Sequence, residues 1–275
     1  MKIAAANIVG REVGPDKQRI DPRWLMAYSA ALGETDARCY DTAAGVAVHP
    51  LFPVCYEWPA TRALRERSGL APLDPRLVHA QHDLIIHRAP TTEVLRITGR
   101  VVAVMQRTPG VLVVSRFFAH DARDQLVTTT DFSVLYRDVK LVGGDRATEK
   151  VDDPPRHRKP LAQVGEIAVA ATAAHIYTEC ARIWNPIHTD VAYARAAGLP
   201  GAILHGSATL ALSVSKVLGS FGMTPGMVHR VRCRFASMVL MPSVLAVFAS
   251  REGTSLAFET RNERGEAVIE RGWIS

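Results

Sequence analysis

The sequence predicts an α+β fold made of two similar halves, each an antiparallel sheet wrapped around a long helix. Three observations carry this. The chain has 275 residues, room for two domains of ordinary size. A polar, proline-rich stretch, Val151-Asp-Asp-Pro-Pro-Arg-His-Arg-Lys-Pro160, reads as a linker near its middle. On each side of it, helical periodicity is followed by strand-like runs with short turns between them. The expected units are residues 1–150 and 151–275.

In the first half a helix is expected from Asp21 to Gly33. Asp21 caps it, Pro22 suits its first turn and Gly33 closes it. Trp24, Leu25, Tyr28 and Leu32 give it one apolar face. Four strand candidates follow: LVHAQHDLIIHRAP, EVLRITGRVVAVMQRTPG, VLVVSRFFAHDARDQ and DQLVTTTDFSVLYR. They are rich in β-branched residues and broken by turn signals such as Thr108-Pro109-Gly110. His79 and His82 are three apart on the first of them, so they are expected on opposite faces, which argues against a metal pair.

The second half opens with the strand candidate GEIAVAATAA, then a helix around Ala174–Ile183 and a short helix near Val191–Ala197 headed by Asp190. A longer helix, HGSATLALSVSKVLG, carries small residues and Leu at core spacing. Strand candidates close the chain, the last holding a hairpin signal at Asn262–Gly265. A long apolar helix in a run of strands needs cover on its apolar face, and a sheet wrapped around it supplies that cover. Two such units make a double hotdog.

Composition sets limits on function. Hydrophobic residues are 48% of the chain and charged residues 22%, as in ordinary globular proteins. The net charge of +6 is scattered and arginine-rich, without the patch or motif of a nucleic-acid binder. No apolar stretch is long enough for a membrane span, and the N-terminus lacks a secretory h-region. Cys39, Cys55, Cys180 and Cys233 form no CxxC pair and no zinc-ligand spacing, so reduced thiols in a cytoplasmic protein are expected, with no metal. Pairing through sheet edges makes a homodimer the expected assembly.

The chemistry concentrates in Tyr177–Gly206. Pro186 stops any helix from running through Asn185, so His188 sits on a rigid corner. Histidine carries protons near neutral pH, and the Asn185 amide orients a ligand or water. Gly206 opens a helix, and its N–H is placed to polarise a carbonyl oxygen. His205 packs beneath Gly206 or contacts substrate. Tyr177 is either a packing aromatic or a site-facing hydroxyl, and Trp184 is either core or a substrate wall. Arg234, with Arg230 and Arg232, lines one strand face, meeting either phosphates or solvent.

Asn185-Pro186-Ile187-His188, the alanines of AYARAAG and Ile203-Leu204-His205-Gly206 resemble the MaoC-like family of (R)-specific enoyl-CoA hydratases and 3-hydroxyacyl dehydratases, of the two-repeat type. The resemblance implies a first half that is a degenerate repeat, and a hydro-lyase acting on a 2-enoyl or 3-hydroxyacyl thioester in fatty acid or polyketide metabolism. It implies His188 as general base or acid, Asn185 as water holder and Gly206 as carbonyl polariser. No cofactor is implied, because coenzyme A or the phosphopantetheine of an acyl carrier protein is part of the substrate. One departure stands out. The family's catalytic Asp lies five residues before its His, where this chain has Ile183. Glu179, one helical turn earlier, is the nearest upstream carboxylate and the candidate substitute. The departure keeps two other classes open: a thioesterase or cyclase relative, and a non-catalytic acyl-thioester-binding subunit.

Overall fold

The computed structural model describes all residues, Met1–Ser275. In chain order the strands are β1 (Lys2–Ala4), β2 (Glu12–Arg19), β3 (Leu77–Ile86), β4 (Val94–Arg107), β5 (Gly110–His120), β6 (Leu126–Arg137), β7 (Lys140–Val142), β8 (Arg146–Ala147), β9 (Ala162–Val169), β10 (Arg230–Phe235), β11 (Ser243–Glu252), β12 (Ser255–Arg261) and β13 (Ala267–Ile274). The helices are α1 (Ala5–Ile8), α2 (Pro22–Ala31), α3 (Pro53–Arg67), α4 (Ala173–Ala181), α5 (Val191–Ala196) and α6 (Gly206–Ser220). The chain divides into two compact units, one of Met1–Arg19, Tyr56–Arg88 and Val94–Asp153, the other of Ile20–Cys55, Ala89–Glu93 and Pro154–Ser275.

The first unit holds an antiparallel sheet in the order β2-β4-β5-β6-β3, with β8 paired to β4. Only Thr108 and Pro109 separate β4 from β5, and a Cβ on Gly110 would collide with the Tyr136 carbonyl. Helix α3, which belongs to this unit from Tyr56 onward, buries Tyr56, Ala60 and Leu64. Sequence periodicity misses it, because Pro59 stands inside it and removes one ladder N–H. Two hydrogen bonds tie α3 to β6: Tyr56 Oη with Thr128 Oγ1 at 2.9 Å, and Thr130 Oγ1 donating to Glu57 Oε1 at 2.7 Å. The expectation for His79 and His82 is corrected here. A bulge between His79 and Gln81 shifts the register, and the two rings meet edge to face at 5.5 Å.

The second unit holds the antiparallel order β10-β13-β12-β11-β9. Helix α6 buries Ala208, Leu210, Ala211, Val214, Val217 and Leu218, each large aliphatic side chain contributing about 1.5–3 kcal/mol. Ser213, fully buried on α6, reaches Thr260 of β12 at 2.7 Å. The linker is anchored by Trp273 Nε1, which donates to the Pro155 carbonyl at 2.8 Å. Helix α2 precedes the linker by more than a hundred residues and yet packs on α4 in this unit. Asp21 caps it through the Trp24 N–H, as its sequence indicates. Each unit is thus an antiparallel sheet with its own helix, the hotdog arrangement.

Candidate active site

The site begins where α4 ends. Arg182 adopts a left-handed backbone, φ 58°, and stops the helix. Its guanidinium lies 4.1 Å over the Trp24 ring of α2, within cation–π range. Ile183 turns inward and is 5% exposed. Asn185 is extended, as the following proline requires, and its Oδ1 accepts the Ile187 N–H at 3.4 Å. A single 3-10 turn, Pro186–His188, then delivers the imidazole.

His188 is buried, and its Nδ1 sits 2.8 Å from the Ile203 carbonyl. A carbonyl only accepts, so Nδ1 carries the hydrogen and Nε2 keeps its lone pair. Burial pushes the pKa of His188 down to about 4, against the upward pull of that carbonyl. The ring is therefore neutral near pH 7 and presents Nε2 as a proton acceptor. His205 stacks on it with centroids 3.6 Å apart. The Nε2 of His205 lies 3.3 Å from the Ile183 carbonyl and 3.2 Å from Thr178 Oγ1, which fixes its hydrogen on Nε2. Burial, and then the neighbouring His188, hold His205 well below the usual histidine range, so it forms a neutral plate under the base.

Gly206 follows and opens α6. His205 gives no side-chain cap, so the first N–H groups of a 15-residue helix have no acceptor within it. Those groups and the helix dipole favour negative charge at that end. Tyr177, fully buried on α4, donates through Oη to Ser207 Oγ at 3.1 Å, and its ring lies 5.0 Å from His205. Tyr28 of α2, also fully buried, has its Oη 3.5 Å from that of Tyr177.

The structure thus brings His188, His205, Gly206 and Tyr177 together, with Asn185 heading the turn that carries the base. Glu179, Trp184 and Arg234 stand apart. Glu179 is exposed on α4 while Ile183 is buried, because the left-handed turn at Arg182 ends the helix between them and breaks the expected shared face. Trp184 is 53% exposed. Arg234 ion-pairs with Glu270 at 3.3 Å, and a bulge between Arg232 and Arg234 interrupts the strand's alternation. Asp190 caps α5 through the N–H groups of Ala192 and Tyr193. Three contributors were missed in the sequence: the Ile203 carbonyl, Ser207 and Tyr28. Ser207, directly after Leu204-His205-Gly206, was findable by position; Tyr28 read only as part of an apolar helix face.

A pH profile follows from the buried base. If His188 Nε2 must be unprotonated, kcat/KM for any reaction that uses it as a base is expected to fall as pH drops through about 4, and to show no His188 transition between pH 6 and 8. Initial rates at low substrate across pH 4–8 check this; a half-maximal point near 6.5 would contradict it.

Comparison with known proteins bears on the domain and the fold. Residues 150–271 match the family described as MaoC like domain. Peroxisomal multifunctional enzyme type 2 of Mus musculus is 26% identical over 216 residues, which cover 77% of this chain and 29% of that relative. Peroxisomal hydratase-dehydrogenase-epimerase of Neurospora crassa is 25% identical over 204 residues, covering 70% of this chain and 22% of that relative. The chain therefore spans less than a third of the length of these curated relatives. Among solved structures, a MaoC-like dehydratase from Phytophthora capsici superposes with a TM-score of 0.85 at 17% identity, over 99% of this chain and 97% of that one. Residues 150–271 thus match a MaoC-like domain, and the chain as a whole shares the double hotdog fold of the solved structures it superposes on.

Proposed function

We propose that the protein is a hydro-lyase that interconverts a 2-enoyl thioester and the 3-hydroxyacyl thioester. The observation that carries this is the hydrogen bond from His188 Nδ1 to Ile203, which leaves Nε2 as a base one stacked ring away from the free N–H end of α6.

In the hydration direction, an Asn185 Nδ2 hydrogen donates to a water oxygen. His188 Nε2 takes a proton from that water as its oxygen bonds to C3. The C2–C3 π electrons move toward the carbonyl, and the thioester oxygen becomes an enolate oxygen. The Gly206 N–H and the α6 dipole stabilise it. The imidazolium then returns its proton to C2, so water adds across one face and His188 is regenerated. The enolate charge beside the imidazolium offsets the cost of charging a buried ring. One base handles both proton movements, which suits a site where Ile183 replaces the second proton carrier. Coenzyme A or a carrier arm belongs to the substrate in this scheme, and the Neurospora relative is a hydratase-dehydrogenase-epimerase by name.

Purified protein with crotonyl-CoA and longer 2-enoyl-CoAs tests the reading. Loss of the conjugated-enoyl absorbance without release of free thiol is the expected result. Thiol release would replace it with a thioesterase reading. Tight binding with neither signal would replace it with a binding subunit. The apolar Ile183 also suits a cyclase, since a substrate's own hydroxyl needs no second group to hold it; a substrate bearing such a hydroxyl would then react while crotonyl-CoA did not.

A further inference from the structure

We infer that the Ser207 hydroxyl is a second hydrogen-bond donor to the thioester oxygen, driven and oriented by a buried chain of two tyrosines. The inference rests on the hydratase reading and concerns the same site.

Tyr177 spends its only hydroxyl hydrogen on Ser207 Oγ at 3.1 Å. At the 3.5 Å contact between Tyr28 and Tyr177, Tyr28 must therefore be the donor. The chain runs in one direction, Tyr28 to Tyr177 to Ser207. Burial raises both tyrosines above the usual phenol range, so the chain stays fully protonated across the working pH. Ser207 Oγ accepts at its end and has no acceptor of its own within the protein. Its hydrogen is left to point outward from the first turn of α6, beside the unpaired N–H of Gly206.

The neighbouring hydroxyls are already used. Thr209 Oγ1 donates to the His205 carbonyl at 3.1 Å, and Ser213 Oγ donates to the Thr209 carbonyl at 2.8 Å. Ser207 is the hydroxyl on this turn with a hydrogen to give. It is half-buried, as a substrate-facing group must be. An oxygen that accepts from a tyrosine is a better donor in turn, because hydrogen bonds in a chain polarise one another. A donor of this kind cannot serve as a base, so Ser207 does not replace the proton-carrying role lost at Ile183. It lowers the energy of the enolate, which makes a single base at His188 sufficient. Tyr177 and Tyr28 are positioning residues in this scheme, and Ser207 touches the reacting oxygen.

The test uses the whole chain and an enolisable probe, acetoacetyl-CoA, whose enolate absorbs where the keto form does not. Wild-type protein is expected to raise the bound enolate fraction at least 10-fold over solution. Ser207→Ala is expected to lose most of that rise, Ser207→Thr to keep it, and Tyr177→Phe to lose part of it. If wild type hydrates crotonyl-CoA, Ser207→Ala should lower kcat about 10²-fold with KM little changed. No enolate rise in wild type, or an equal rise in Ser207→Ala, would overturn the inference whether or not hydration occurs. Absence of hydration with the enolate rise intact and dependent on Ser207 would instead overturn the hydratase reading alone.

Discussion

Replacing His188 by alanine is expected to lower kcat/KM for a 2-enoyl thioester by about 10³-fold, within the range seen when a positioned acid or base is removed. The size follows from the mechanism, because one ring takes the proton from water and returns it to C2. Alanine also removes the plate that covers His205 and leaves the Ile203 carbonyl without its donor, so lost folding must be separated from lost chemistry. Asparagine does this. Its amide N–H takes the place of Nδ1–H toward Ile203, but it offers nothing at the Nε2 position. His188→Asn is expected to be as inactive as His188→Ala while unfolding within ~1 kcal/mol of wild type. Steady-state rates and denaturant melts on the two variants check both statements. An active His188→Asn would remove the base from the account.

The second large effect lies in the other unit and concerns stability. Glu57 is 3% exposed in α3, and burial pushes its carboxyl up to about 8, partly offset by hydrogen bonds from Thr130 and Thr128. In the unfolded chain the same carboxyl releases its proton near 4.5. Between these values the folded state holds one more proton than the unfolded state. Stability is therefore fully present below about pH 4.5 and is lost as pH rises, by roughly 1.4 kcal/mol per unit, until about pH 8. Glu57→Gln removes the ionisation and keeps an oxygen for the Thr130 hydroxyl, at the cost of one extra buried N–H of about 1–2 kcal/mol. The variant should thus be slightly less stable than wild type at pH 5 and more stable, by ~3 kcal/mol, at pH 8.5. Urea melts at the two pH values measure the difference; parallel pH profiles would mean that Glu57 is ionised in the folded protein.

Much of the fold was legible in the sequence because its signals are local. The Asp21-Pro22 cap, the β-branched runs of β3 to β6 and the apolar rows of α6 each declare themselves within a few turns or strand repeats. What stayed hidden depends on neighbours. Helix α3 is masked by Pro59, which only tertiary packing makes tolerable in a helix interior. The meeting of His79 and His82 depends on one bulge that periodicity cannot reveal. At the site, Asn185-Pro186-Ile187-His188 and His205-Gly206 carried the recognition because proline geometry and a helix start are local facts. Glu179 and Ile183 share no face because the helix ends at Arg182 in a left-handed conformation, which helical spacing alone does not reveal. Tyr28 reaches the site from α2, 149 residues before its partner Tyr177, and no spacing rule connects them.

Catalysis by this site requires that one base and one helix end converge on the same thioester. A crystal structure with a bound, unreactive acyl thioester tests it most directly. The thioester oxygen is predicted about 3 Å from the Gly206 N–H, with His188 Nε2 facing C2 and C3. A ligand bound elsewhere, or a His188 ring whose Nε2 points away from those carbons, would contradict it.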